Sequence, residues 1–192
     1  MSDMDLSAAA TTMANLIRNI GDDQLAAPTP CPEYSLGDLV DHVGGFALAF
    51  TWAANKDFPD GEGAPRPGDA SRLTDDWRQR ISADLDAMAR AWKQPDAWTG
   101  MTKAGGLDLP GEIAGLVALD ELVIHGWDVA RASGQPFSVD APALAAVRGF
   151  IDGFSPDGTP GLFGPRVAVS DTATDLDQVV AMSGRDPNWS PR

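Results

Sequence analysis

The sequence predicts an all-α protein: a four-helix bundle with short additional C-terminal helices, forming a single domain over residues 1–192. Three observations carry that prediction. Apolar residues recur at three- and four-residue steps in four long segments, Pro- and Gly-rich stretches separate them, and only Arg166-Val-Ala-Val-Ser170 alternates as a short extended piece would.

Leu6, Met13, Leu16, Ile17 and Ile20 keep helical spacing, so residues 4–20 read as a first amphipathic helix stopped at Gly21. The run Ala27-Pro-Thr-Pro-Cys31-Pro32 cannot continue it. Ser35-Leu-Gly-Asp38 has the form of a capping box with Asp in place of Glu, and it introduces Leu36, Leu39, Val43, Phe46 and Phe50 as the stripe of a second helix. Residues 57–70, rich in Pro, Gly and Asp, form a loop. A third helix over about 71–93 turns Leu73, Trp77, Ile81, Leu85, Met88 and Trp92 inward. Residues 94–110 read as loop, and a fourth helix runs from Gly111 to about Ser133, with Gly134 as its natural stop. Two shorter helices, Ala141–Ile151 and Asp171–Ser183, flank an irregular connection from Gly153 to Gly164.

The 14 basic and 28 acidic residues leave a net charge of −14, which repels phosphate backbones and anionic lipid surfaces and argues against nucleic acid as a partner. The longest uncharged apolar stretch, Val43 to Ala54, falls short of the roughly 20 residues that span a bilayer. No membrane partner is expected. No basic segment leading into an apolar one opens the chain, and the single Cys31 excludes an intramolecular disulfide; both point to the cytoplasm.

The chain has two histidines, and both fall on apolar helical stripes. His42 lies among Leu39, Val43 and Phe46; His125 shares a broad face with Ile113, Val117, Glu121, Ile124 and Asp128. Glu121 and His125 are four apart, on one side of a helix and about 6 Å along its axis. Carboxylates and imidazoles on a stripe meant to pack inward are costly unless something binds them. Taken singly, each has a plainer reading: a surface Glu–His pair, or a core histidine satisfied by a backbone carbonyl, Asp38 or Asp41. Taken together, three convergent N and O donors describe a metal site with room left for water or substrate.

Three segments carry a resemblance to a known family. Thr29-Pro-Cys-Pro-Glu-Tyr-Ser-Leu-Gly-Asp-Leu-Val-Asp-His42, then Asp120-Glu-Leu-Val-Ile-His125-Gly-Trp-Asp128-Val-Ala-Arg131-Ala-Ser-Gly-Gln, then Ser183-Gly-Arg-Asp-Pro187 resemble the actinobacterial branch of the DinB-like superfamily, and within it the metal-binding N-terminal domain of mycothiol-dependent maleylpyruvate isomerase. The resemblance implies an up-down four-helix bundle, a divalent metal (above all zinc) on His42, Glu121 and His125, a low-molecular-weight thiol activated by that metal, and a homodimer. It also implies an electrophile other than maleylpyruvate, because the isomerase's second, C-terminal domain has no counterpart in these 192 residues.

The expectation is therefore a thiol-dependent S-transferase or isomerase that uses mycothiol and an unidentified electrophilic small molecule, with no catalytic side chain assigned. Its alternatives are a non-catalytic metal-binding or partner-binding bundle and, ranked last, a hydrolase. Asp128, one turn beyond His125, suits an acceptor for an imidazole N–H or a contact to the thiol, against a solvated helix-end acid. Trp127 and Trp52 suit pocket walls or core, and Arg131 suits an anionic substrate or the helix C-terminus. Cys31 has no histidine near it in sequence and reads as a small, half-buried residue rather than a nucleophile.

Overall fold

The first residues of the His42 helix satisfy each other. Ser35 Oγ accepts the Asp38 N–H at 3.2 Å, while Asp38 Oδ2 accepts the Ser35 N–H at 3.0 Å and the Ser35 hydroxyl at 2.6 Å. That reciprocal box starts helix α2, Leu36–Asn55, which ends at Lys56 in the left-handed region at φ 55°. The computed structural model describes residues 4–59 and 66–191; residues 60–65 of the expected 57–70 loop lie outside the described residues.

The bundle is completed by α1 (Ser7–Arg18), α3 (Trp77–Ala91) and α4 (Gly111–Ser133). Both α1 and α2 pack on α3 and α4, giving a ring in the order α1, α3, α2, α4. Its centre is filled by the predicted stripes of three helices, Met13 and Ile17 from α1, Val43 from α2 and Ile81, Leu85 and Met88 from α3, and on α4 by Leu119 and Leu122, which lie outside the face that periodicity picked out; all are almost fully buried. Each such side chain contributes about 1.5–3 kcal/mol by leaving water. Helices α5 (Ala141–Asp152) and α6 (Asp175–Met182) are the short C-terminal additions, α5 against α4 and α6 against α5. No described helix is long and apolar enough to cross a membrane.

Several boundaries differ from the sequence expectation for local reasons. The expected loop 94–110 holds a turn of 3-10 helix at Pro95–Trp98 and an antiparallel hairpin of β1 (Met101–Ala104) and β2 (Leu107–Pro110). Gly105 and Gly106, at φ 59° and 80°, make the tight turn, which favours glycine at both positions. The strands are four residues each, too short for an alternation to register. Thr102 Oγ1 donates to Ala53 O at 2.6 Å and anchors the hairpin to the end of α2.

Helix α3 begins at Trp77 rather than residue 71, because Asp69 accepts the Ser71 N–H at 2.9 Å and closes a separate 3-10 turn at Ala70–Arg72. Helix α6 begins at Asp175, where Thr174 caps it, rather than at Asp171. Helix α1 is shorter than residues 4–20, and its end is held by Arg78, whose Nε and Nη2 donate to Ile20 O at 3.0 and 2.7 Å. Residues 166–170 join no strand; Val167 N–H instead donates to Ala181 O at 2.9 Å, tying them to α6. Ile113, placed inward by periodicity, is 38% exposed, because the first turn of α4 packs through Gly111, Ala114 and Gly115 instead.

Candidate metal centre

Helices α2 and α4 meet where each carries its polar exceptions. Glu121 Oε2 stands 3.3 Å from His42 Nε2 and 3.3 Å from His125 Nε2, and one donor atom of each residue lies within 4.8 Å of the others. The two rings are nearly perpendicular with centroids 5.0 Å apart. All three are partly shielded rather than sealed, with side-chain exposures of 23%, 26% and 12% for His42, Glu121 and His125.

These spacings suit a metal. With ligand bonds of about 2.0–2.1 Å, the edges of a regular tetrahedron are about 3.3 Å, the separation found along both edges that include the carboxylate. The donor chemistry fits as well: two imidazoles and one carboxylate leave a fourth position for water or substrate.

His125 is oriented from behind. Its Nδ1–H donates to Asp128 Oδ2 at 2.9 Å, which turns Nε2 toward Glu121. Asp128 has no exposed surface and is held in turn by Arg185, whose Nη2 and Nε donate to Oδ2 at 3.0 Å and Oδ1 at 3.4 Å. Burial pushes the Asp128 carboxyl up, but the Arg185 charge and the His125 bond outweigh it and hold the group below the usual carboxylate range. Burial also raises Glu121, yet the bond to His42 and the charges of His125 and His42 bring it down to about 2. Its neighbour Asp120 goes the other way. Burial and the Glu121 charge raise its carboxyl well above the ordinary value, and its Oδ1 has no partner among the described residues.

Of the remaining predicted residues, Trp127 is buried and Arg131 lies over its ring, 5.5 Å from guanidinium carbon to centroid. Arg131 Nη2 donates to Pro187 O at 2.9 Å, so this side chain binds α4 to the segment after α6. Arg131 Nε has no partner among the described residues. Trp52 is partly exposed near the far end of α2, ten residues beyond His42. Cys31 is half-buried in the loop before α2; burial, then the charge of Asp128, pushes its thiol up, and Arg185 opposes them.

Two site residues escape local reasoning. Tyr34, the sole tyrosine, sets its ring 5.5 Å from that of His42 and accepts the Gly68 N–H at 3.2 Å. Being the single tyrosine, just ahead of a histidine helix, is the one signal that marks it. Arg185 is the other: it lies inside the quoted Ser183-Gly-Arg-Asp-Pro187 stretch, but nothing local says that it reaches a residue 57 positions back.

The helical bundle, with two imidazoles and a carboxylate gathered at one helix interface, has the DinB-like fold. Within it, the chain belongs to the mycothiol maleylpyruvate isomerase N-terminal domain family, whose profile matches residues 6–130. The crystal structure of a mycothiol-dependent maleylpyruvate isomerase, a histidine-to-alanine variant, superposes with a TM-score of 0.58 at 16% identity, covering 76% of this chain and 65% of that one. The chain is also 34% identical over 145 residues to an uncharacterized protein of Mycobacterium tuberculosis, found alike in strains H37Rv and CDC 1551, covering 73% of this chain and 71% of the relative.

Proposed function

We propose that this protein binds one divalent metal, zinc above all, through His42, Glu121 and His125, and uses it to activate mycothiol in an S-transfer or isomerisation reaction on an electrophilic small molecule. The observation that carries the reading is the partly exposed three-donor cluster: among the described residues no fourth His, Cys, Asp or Glu joins it. A metal closed by a fourth protein ligand would staple the bundle; one with a free position takes a substrate atom. That difference favours a reactive centre over a purely structural ion.

A metal there would supply the Lewis acidity that ionises a thiol at neutral pH. The chain's own residues do the rest. His125 presents Nε2 because Asp128 holds its other nitrogen. Asp128, which has no exposed surface, serves as the acceptor for that nitrogen rather than as a contact to the thiol, and of the other two residues assigned to the thiol Arg131, partly exposed over the buried Trp127 ring, is the one left to meet it. The match covers 65% of the isomerase on which the chain superposes. The family assignment supports the thiol and a homodimer, and the acidic composition with a single cysteine supports a cytoplasmic protein that meets neither nucleic acid nor membrane.

Cobalt substitution tests the proposal. One cobalt per chain should bind, and adding mycothiol at neutral pH should produce thiolate-to-cobalt charge-transfer absorption, because a metal-bound thiol ionises well below the free cysteine value of about 8.5. A cobalt-loaded protein whose spectrum ignores saturating mycothiol is a non-catalytic metal-binding protein, and the transferase reading falls.

A further inference from the structure

We infer that Arg185 is a positioning residue of the metal centre: it fixes Asp128, and through Asp128 the orientation in which His125 offers Nε2. The inference rests on the metal reading above and goes beyond it, because Arg185 lies outside the residues that the family profile matches.

A carboxylate with no exposed surface, as Asp128 has, is tolerated only if its oxygens are met by donors. His125 supplies one N–H to Oδ2; Arg185 supplies the others, Nη2 to Oδ2 and Nε to Oδ1. The planar guanidinium meets both oxygens at once, which fixes the carboxylate plane as a single point charge would not. Remove Arg185 and Asp128 is left with the imidazole as its one partner among the described residues. Its carboxylate plane is then free to turn, and His125 loses its anchor.

The guanidinium is itself held in place. Its Nη1 donates to Ser183 O at 3.2 Å, and the Arg185 N–H donates to Val180 O at 3.2 Å. Between them Gly184 sits in the left-handed region at φ 88°, packed so closely on Gly164 that a Cβ would come within 2.6 Å of the Gly164 Cα. From the other side Arg131 grips Pro187 O. Residues 183–187 therefore form a braced arm whose charged side chain is delivered to the back of the site from the end of α6, a helix packed on α5.

The test is metal affinity, read by competition with a chromophoric chelator on folded protein, together with the visible spectrum of the cobalt form. Arg185→Gln should bind metal more weakly than the wild type, by no more than the about 10–100-fold that losing the direct outer partner of a ligating histidine costs, and its cobalt bands should shift. Arg185→Lys, which keeps the charge but not the two-pronged geometry, should recover part of the affinity. Because the effect runs through Asp128, adding Arg185→Gln to Asp128→Asn should cost little more than Asp128→Asn alone. Gly184→Ala, which displaces the arm without touching the guanidinium, should weaken binding in the same direction.

A merely structural tie predicts something else. It lowers the melting temperature of the metal-free protein while leaving the affinity and cobalt spectrum of the folded fraction unchanged, and that pattern in Arg185→Gln would overturn the inference. Wild-type protein that takes no metal overturns the metal reading first and this one with it. Equal affinity in wild type and Arg185→Gln leaves the metal reading standing and removes Arg185 from the site.

Discussion

Glu121 and His42 lie 79 residues apart in the chain, and their Oε2 and Nε2 atoms stand 3.3 Å apart across the α2–α4 interface. Nothing polar brings them there. The approach is made by the apolar stripes on either side, Leu39, Val43 and Phe46 on α2 and Leu122 and Ile124 on α4, which bury against the common core. The site is thus a polar insertion in an interface that forms without it.

It follows that the metal-free protein stays helical. An ion present at about 100 times its dissociation constant should add about 2.7 kcal/mol to folding stability, since it binds the native state and not the unfolded chain. For a domain of this size that corresponds to a melting temperature higher by about 5–10 °C. Circular dichroism melts with and without a chelator check both parts; loss of the helical signal on chelation at room temperature would mean that the ion, not the stripes, holds the bundle.

The ligand set makes a sharper claim. The double variant His42→Ala, His125→Ala should retain no stoichiometric metal, and Glu121→Gln, which swaps an anionic oxygen for a neutral amide at unchanged size, should bind far more weakly. Elemental analysis of purified variants decides it. Metal at wild-type stoichiometry in the double variant would place the ion elsewhere.

The cluster is legible in the sequence because its signal is a contradiction: two histidines and a glutamate on stripes that periodicity assigns to the core. The bundle is legible for the complementary reason, four long stripes that obey the period. What escapes is short or remote. The 101–110 hairpin is below the length at which alternation speaks. Ile113 obeys the period but lies in a first turn that packs through glycine and alanine. Arg185 reaches Asp128 only because Gly184 lets the chain turn against Gly164, a contact that no local pattern encodes.

The cap of α2 should show its own pH dependence. The Ser35 hydroxyl bond, opposed by burial and helped by the Ala70 and Ser35 amides, holds the Asp38 carboxyl below its ordinary value. A carboxyl lowered in the folded state stabilises fully above its unfolded value, about 3.9, and loses that contribution as pH falls through the folded one. Asp38→Ala should therefore cost about 1–2 kcal/mol near neutral pH, with the gap to wild type closing below about pH 4. Urea titrations across that range measure it; a gap that stays constant as the pH falls would show that the charge of Asp38 plays no part.

Cys31 tests where the nucleophile resides. Its thiol is half-buried, and burial together with the nearby Asp128 charge raises it against the pull of Arg185, so less of it is thiolate at neutral pH than in a free cysteine. Alkylation by iodoacetamide should then be several-fold slower than that of a free thiol under the same conditions. Cys31→Ser should keep the full metal complement and, once an electrophile is found, the thiol-transfer rate, since the reacting sulfur comes from mycothiol. Rapid alkylation of Cys31, or a Cys31→Ser protein that holds its metal yet has lost turnover, would move the nucleophile from the cosubstrate to the chain.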